Sequence, residues 1–406
     1  MLLCLKDIVR HSNQKRSALL RCPTGAASPR LVAGLFTFFT LSNIAAESPK
    51  NRTNHFFKGV AAAIIILLTV GCGHTPPGSG ESSIGLMVLW KFKTNGPINS
   101  SPTISGNVIY FGSDDGRLYA VDIDTGRELW RHMMGDRVRS GPTVSKDKVY
   151  VGCDDNGLYA VGALNGNFAW RFETEGMVRS SPAVWGGAVY FGSCDGNLYA
   201  ADSKTGDKIW RLKVGGGLES DPKINLGLVY AGNTKGDMIA VDGGTKKVSW
   251  RFDAGRKAVS SPAISGGAVG ASIYFGTEGG CLYALSARWG SERWRFNVGG
   301  KVLSAPGVAD GVVYVAGTNG RLYALKSRSG KKIWSSRIPG KIQTSPVVGG
   351  GIVYVGSSEG SLVALEASTG KEIWRYRTGG YINSTPVVRE GIVYFGSGDG
   401  YLYAVK

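Results

Sequence analysis

The side chains best suited to catalysis or metal binding, cysteine and histidine, are few and widely separated in this sequence. No two of the six cysteines are adjacent or spaced as Cys-x-x-Cys, and of the four histidines only His132 lies beyond residue 83. Zinc sites and histidine-based acid–base chemistry need such residues to cluster. The sequence therefore predicts no catalytic residue and no metal site.

Hydroxyl groups recur two residues before a proline, at a nearly constant spacing. The eight positions are Ser100, Ser140, Ser180, Ser220, Ser260, Ser304, Thr344 and Ser384. A serine nucleophile needs a base within reach, and no histidine is placed to serve as one. We expect these hydroxyls to bond backbone groups of the strands that contain them.

One cysteine stands in a context that has chemistry of its own. A basic flank precedes an apolar run over 59–71, Gly71 directly precedes Cys72, and a stretch rich in Gly, Pro and Ser follows. This order resembles the signal of bacterial lipoproteins, in which the cysteine is lipidated and becomes the new N-terminus. Thr69 departs from that pattern, because a leucine usually stands there. An ordinary signal, or a short anchor helix with an incidental cysteine, is the alternative.

Composition divides the chain into four segments. Residues 1–58 are expected to be a disordered leader, or the product of a start site placed too early, and 59–72 the lipoprotein-type signal. Residues 73–84 form a flexible linker, and 85–406 hold the folded domain. The signal predicts export and a lipid tether, on the periplasmic face of the outer membrane or at the cell surface.

A repeat of about 40 residues organises the folded domain. Its marker is a tryptophan, and successive copies are 40 residues apart except for one spacing of 44. The series is Trp90, Trp130, Trp170, Trp210, Trp250, Trp294, Trp334 and Trp374. Equivalent copies at one period indicate a structural role, in which each indole packs between neighbouring repeats and its N–H finds a partner there.

Each repeat contains four short runs of strand-forming residues. In the first copy these are SSPTI, VIYFGS, RLYAVD and ELWRH, with Asp115-Gly116 between the second and third. Asp-Gly is a favoured two-residue hairpin turn. Four-stranded antiparallel units arranged around an axis make a β-propeller. A linear solenoid is the alternative, but it requires capping repeats, and neither end shows one.

The two ends of the folded domain complement each other. The last repeat ends in YLYAVK (401–406) without a fourth strand, and a lone fourth strand around Trp90 precedes the first repeat. Pairing the two removes exposed sheet edges. We therefore predict an all-β, eight-bladed propeller over 85–406, whose last blade is completed by the N-terminal strand.

Charge and aromatic residues provide two candidate partner-binding surfaces. The net charge of +17 favours contact with acidic surfaces, although a merely soluble surface gives the same balance. Six basic residues in the connections between blades are expected to form a rim at the channel mouth: Arg137, Arg139, Arg179, Lys257, Lys301 and Lys341. On the opposite end, Trp185 and Trp289 are the two tryptophans outside the repeat position, in loops where they either anchor a partner or fold back onto the blade.

The phrases AVDIDTGRELW (120–130) and AADSKTGDKIW (200–210) resemble the tryptophan-docking repeat of the PQQ-type propellers. This family includes quinoprotein alcohol dehydrogenases and the outer-membrane assembly lipoprotein BamB, and the resemblance covers 85–406. The dehydrogenases hold their quinone against two adjacent cysteines and a tryptophan, with Ca²⁺ on Glu, Asn and Asp. This chain has no adjacent cysteines and one insertion of only four residues.

The layout of signal, linker and regular ring resembles BamB more than a dehydrogenase. That resemblance implies a non-enzymatic envelope scaffold whose protein partner is an outer-membrane β-barrel assembly complex, since fold alone does not set chemistry. We expect a monomeric ring with no cofactor and no nucleic acid partner. A quinone- or sugar-binding enzyme, similar to the PQQ-dependent dehydrogenases, is the alternative.

Overall fold

The computed structural model describes residues 86–255, 260–267 and 270–406. The predicted leader, signal and linker, with Cys72, lie outside these residues, and so does Lys257. The regular structure of the described residues is entirely β-strand. They include no helix with the length and apolar character needed to cross a bilayer.

Thirty-two strands form eight antiparallel sheets of four strands each. The N-terminal strand is β1 (Val88–Lys93). Blade 1 contains β2 (Thr103–Ser105), β3 (Val108–Ser113), β4 (Arg117–Asp122) and β5 (Glu128–Met133). Blade 2 contains β6 (Thr143–Ser145), β7 (Lys148–Gly152), β8 (Gly157–Gly162) and β9 (Phe168–Glu173). Blade 3 contains β10 (Ala183–Trp185), β11 (Ala188–Gly192), β12 (Asn197–Asp202) and β13 (Lys208–Lys213).

The next three blades repeat this arrangement. Blade 4 contains β14 (Lys223–Asn225), β15 (Leu228–Gly232), β16 (Asp237–Asp242) and β17 (Val248–Asp253). Blade 5 contains β18 (Ala263–Ser265), β19 (Ser272–Gly276), β20 (Cys281–Ser286) and β21 (Glu292–Asn297). Blade 6 contains β22 (Gly307–Ala309), β23 (Val312–Ala316), β24 (Arg321–Lys326) and β25 (Lys332–Arg337).

The last two blades differ in how they are completed. Blade 7 contains β26 (Val347–Gly349), β27 (Ile352–Gly356), β28 (Ser361–Glu366) and β29 (Glu372–Arg377). Blade 8 contains β30 (Val387–Arg389), β31 (Ile392–Gly396) and β32 (Tyr401–Val405), and its fourth strand is β1. Trp90 lies opposite Ala404, and Lys93 opposite Tyr401. This pairing confirms the predicted eight-bladed ring and its closure by the N-terminal strand.

Burial differs between the strands of a blade because each sheet packs between two neighbours. The second and third strands, such as β3 and β4, are buried on both faces, which is why their sequences are almost continuously apolar. The first strands line the central channel. The fourth strand is the outer one, where buried positions alternate with exposed ones.

Hydroxyls in and next to the first strands bond the backbone around the channel. In blade 3 the Gly192 N–H donates to Ser180 Oγ at 2.8 Å, and six blades have this bond at the equivalent positions. One residue further along, side chains link neighbouring blades. Thr385 N–H donates to Ser101 Oγ at 3.1 Å and so joins blade 8 to blade 1.

The repeat tryptophans connect each blade to the next. Trp130 Nε1 donates to the carbonyl of Ala163 in blade 2 at 3.0 Å, and the Tyr110 hydroxyl donates to the same oxygen at 3.1 Å. Six carbonyls receive this pair of bonds, those of Ala163, Ser203, Gly243, Ala287, Ser327 and Ala367. Trp90 donates to Ile123 in the same way. These six interfaces thus satisfy a buried N–H and a hydroxyl at one acceptor.

A glycine in the loop that carries the acceptor carbonyl lies against the tryptophan ring. Gly330 has φ +67°, and a Cβ there would lie 2.6 Å from Trp294 Cε3. Gly106 has a similar φ of +56° with open space around it.

We predict that Gly330→Ala lowers the free energy of unfolding by about 2–4 kcal/mol, because the costs of positive φ and of overpacking add. Gly106→Ala should cost about 1 kcal/mol, from φ alone. Equal shifts in urea denaturation midpoints would show that the ring contact does not matter.

Candidate binding surfaces at the two ends of the ring

The connections between strands fall at two opposite ends of the ring. The turns between second and third strands bond to the blade-to-blade connections, as where Asp114 N–H donates to Pro97 O. We call this the turn end. The hairpins between first and second strands bond to the loops between third and fourth strands, as where Ile123 N–H donates to Asn107 O. We call this the loop end.

Aspartates of the turn end hold the turns and a tyrosine together. Asp115 accepts the Tyr119 hydroxyl at 2.7 Å and the Arg117 N–H at 3.1 Å. Asp155, Asp195 and Asp399 do the same in their own blades. These carboxylates therefore serve the fold. Burial, followed by the hydrogen bond to the carboxylate, raises the pKa of Tyr119 to about 12.

Two members of the predicted basic rim are neutralised by ion pairs. Arg139 Nε and Nη2 bond both carboxylate oxygens of Asp114 at 3.0 and 2.9 Å. Arg179 makes the same bidentate pair with Asp154, at 2.9 and 3.2 Å. Both carboxylates are nearly buried, so these pairs are better shielded from solvent than ordinary surface ones. The two arginines fix neighbouring turns.

The remaining described members of the rim differ in whether a carboxylate lies near their charged group. Lys301 Nζ lies 3.8 Å from Glu278. Arg137 and Lys341 are exposed, and neither forms an ion pair with another of the described residues. Lys341 lines a cleft of about 710 Å³ between blades 6 and 7, together with Arg337 and Glu359. The positive charge of the rim that is not paired with a carboxylate therefore lies at separate positions around the ring.

The two loop tryptophans lie at the loop end. Trp185 is 46% exposed, and a Cβ on Gly227 of blade 4 would lie 3.2 Å from its Cη2. Trp289 is 68% exposed, with the Arg288 guanidinium 4.7 Å from the ring centroid. Trp185 therefore leans against the hairpin of the next blade, while Trp289 presents most of its surface to solvent.

Two further apolar residues belong to this surface and were not singled out from the sequence. Leu226 at a hairpin tip is 68% exposed, and Leu164 in a loop is 91% exposed. Leu226 and Trp289 line one cleft of about 420 Å³ between blades 4 and 5. A sequence signal existed, because the phrase INLGL has leucine where the other short hairpins have glycine or a charged residue at positive φ.

Comparison with known proteins identifies the family. The family model described as outer membrane protein assembly factor BamB matches residues 87–247, 195–271, 247–344 and 318–406. The chain belongs to this family of PQQ-type propellers. No curated protein matches the sequence closely enough to be compared with it.

Solved structures share the fold at low sequence identity. BamB from Moraxella catarrhalis is 19% identical, with TM-score 0.69 over 79% of this chain and 98% of that one. The computationally designed Ika8 protein is 17% identical, with TM-score 0.68 over 77% and 96%. A europium-containing methanol dehydrogenase is 15% identical, with TM-score 0.70 over 79% and 93%. The propeller architecture is therefore common to proteins of different kinds.

The channel mouth of this BamB-family ring has a largely polar lining. Its cavity of about 430 Å³ is lined by Asn99, Arg139, Leu303, Gln343, Tyr381 and Asn383. Among these residues the one guanidinium, that of Arg139, is already paired with Asp114, so the fold holds it in place. The described residues also include no group of three His, Cys, Asp or Glu side chains that could hold a metal ion.

The tyrosine–aspartate pairs predict how stability depends on pH. The pKa of Tyr159 is raised to about 12, first by burial and then by its bond to Asp155. A raised pKa contributes stability that is complete below about pH 10 and is lost as pH rises towards 12. We expect the free energy of unfolding to fall across this window, and to fall less in Asp155→Asn, where the charge that opposes tyrosinate is gone. Asp136→Asn, at the same end without a tyrosine, should keep the wild-type slope. Urea denaturation at each pH measures both, and identical slopes in all three would contradict the assignment.

Proposed function

We propose that this protein is an exported, lipid-anchored scaffold that binds a protein partner in the cell envelope and aids assembly of outer-membrane β-barrel proteins. Membership of the family described as outer membrane protein assembly factor BamB supports the partner class. The predicted lipidation of Cys72 supports the location. The ring would act as a rigid docking body, since its blades are tied to one another at both ends and along the channel.

The observation that carries the proposal is that the potentially reactive side chains make structural hydrogen bonds. Six of the eight hydroxyls next to the inner strands bond glycine N–H groups, four turn aspartates hold tyrosines, and seven repeat tryptophans donate to the next blade. Side chains engaged in repeated structural bonds are not available for acid–base or nucleophilic work. What is left for function is surface that departs from the repeat.

We assign partner binding to the turn end, where Arg137 and Lys341 present positive charge and the exposed Lys301 lies 3.8 Å from Glu278. Lys341 borders a cleft large enough to take side chains of a partner, with Ile338 and Pro339 as its apolar lining. A cleft with cationic groups at its edge favours an acidic protein segment. Arg139 and Arg179 have a positioning role in this proposal, because their charges are already paired.

The alternative is an enzyme similar to the PQQ-dependent dehydrogenases. The fold favours it as much as it favours a scaffold, because the methanol dehydrogenase matches with a TM-score of 0.70. The paired arginine at the channel mouth weighs against it. A redox chromophore that copurifies with the protein and is reduced by an alcohol would support the enzyme and contradict the scaffold.

The test is recovery of an outer-membrane β-barrel protein with the full chain from detergent-solubilised membranes of its own host. We expect the triple change Arg137→Ser, Lys301→Ser and Lys341→Ser to lower recovery about tenfold, which corresponds to about 1.4 kcal/mol. Raising the salt concentration should lower wild-type recovery in the same direction.

The matched control removes the same charge from the loop end, with Lys208→Ser, Lys331→Ser and Lys371→Ser. All three lysines are exposed. Recovery should stay at the wild-type level. If both triple variants lose recovery equally, net charge and not the turn end is responsible, and if no β-barrel protein is recovered with the wild type, the proposed partner class is wrong.

A further inference from the structure

Large exposed apolar side chains concentrate at the loop end. Of the fourteen among the described residues, only Met133 stands where its strand reaches the turn end. Four stand at the tips of loops and hairpins in blades 2 to 5: Leu164, Trp185, Leu226 and Trp289. The other nine stand where the outer strands leave the loop end: Met87, Val88, Leu89, Leu129, Phe168, Ile209, Val248, Ile333 and Ile373. The ring therefore has one polar end and one end with an apolar margin.

Three of the tip residues form a continuous surface across blades 3, 4 and 5. The Trp185 ring lies beside Gly227, which is the neighbour of Leu226 in the same hairpin. Leu226 in turn shares a cleft with Trp289. An aromatic, an aliphatic and a second aromatic side chain thus follow one another along the rim of the ring.

Leu226 occupies a backbone conformation that leucine disfavours. Its φ is +51°, in the left-handed region. The equivalent hairpin positions hold Gly106, Lys146, Gly186, Gly350 and Glu390 among others. Because the side chain is mostly exposed, the strain is not offset by burial within the described fold. A bulky residue kept in such a conformation points to a role outside the ring itself.

Cationic side chains accompany the apolar ones. Lys204 and Lys246 are exposed in the loops of blades 3 and 4, and Arg288 lies over the face of Trp289. Tryptophan with neighbouring lysine and arginine is the combination found at membrane–water interfaces, where the rings sit at headgroup depth and the cations meet anionic lipid.

The described chain also begins at this end. Met87 and Lys406 exchange two backbone hydrogen bonds of 2.9 Å beside the loops of the neighbouring blades. Cys72 stands fourteen residues before Leu86, and a fully extended chain of that length spans at most about 50 Å. A lipid on Cys72 would therefore hold the point where the described chain begins within about 50 Å of the bilayer.

We propose that the loop end docks on an anionic bilayer surface, with Trp185, Leu226 and Trp289 inserted at headgroup depth. This inference rests on the export and lipid tether of the proposed function. It reassigns the two loop tryptophans from a protein partner to lipid, and it leaves the turn end pointing away from the membrane towards the proposed partner.

The test uses the full chain purified from membranes and reconstituted on vesicles of phosphatidylethanolamine and phosphatidylglycerol with brominated acyl chains, which quench nearby tryptophans. The chain has ten tryptophans, of which two are proposed to insert. We expect emission to be lower by about a fifth than on unbrominated vesicles. The double variant Trp185→Ser, Trp289→Ser should show no quenching, with an unchanged melting temperature because both side chains are exposed.

Met133→Ser is the matched control, since it removes an exposed apolar side chain at the turn end and should leave quenching unchanged. Wild type that floats with the vesicles without being quenched, or equal fractional quenching in wild type and double variant, overturns the docking but leaves the tether and partner intact. Wild type that does not float with vesicles contradicts both the tether and the docking.

Leu226→Gly separates docking from folding. Glycine relieves the positive φ, so the melting temperature should rise, while quenching should fall about twofold because the apolar contact between the two tryptophans is lost. A purely structural leucine would give a lower melting temperature with unchanged quenching, and that result would count against the proposal.

Discussion

The hydrogen bond that seven of the eight repeat tryptophans donate to a carbonyl of the next blade is the interaction on which the ring depends. A large indole buried between two sheets contributes much apolar area, but its N–H must be satisfied. The carbonyl that accepts it also accepts a tyrosine hydroxyl from the same blade as the tryptophan. One backbone oxygen thus holds two aromatic side chains, and in six of the loops that present it a glycine lies against the tryptophan ring. The sequence has a 40-residue period because this contact recurs between successive blades.

This arrangement gives the two ends of the ring different chemistry. At the turn end, aspartates bond tyrosines within the blade, and two arginines pair with aspartates that precede them by 25 residues. Those bonds pair the charged groups with partners inside the fold, and the surface that remains is polar. At the loop end, the carbonyls that receive the tryptophans lie in the loops between third and fourth strands, and large apolar side chains are exposed at several loop and hairpin tips. The apolar residues at the loop tips are outside the repeat pattern, whereas Leu89, Leu129, Ile209, Ile333 and Ile373 each directly precede a repeat tryptophan.

A ring with unlike ends has a defined orientation once it is tethered. The N-terminal strand completes blade 8 and begins at the loop end, so the same strand that closes the ring also fixes which end follows the linker. The proposed roles follow this geometry, with lipid at the end where the chain enters and a protein partner at the other. Neither role requires a conformational change of the ring. The blades are held to one another by hydrogen bonds at the channel and at the tryptophans.

The sequence by itself determined the architecture. The tryptophan period, the Asp-Gly turns and the complementary strands at the two ends were sufficient for the eight blades and their closure, since each of these is a local or periodic property. Only the tertiary structure decided what the surface residues do. It paired Arg139 and Arg179 with aspartates and thereby reduced the rim predicted from charge alone, and it brought Trp185 beside Leu226 and Trp289 from three different blades. The physical reason is that period and turn chemistry are written along the chain, whereas ion pairing and surface clustering depend on distances between blades that no spacing in the sequence encodes.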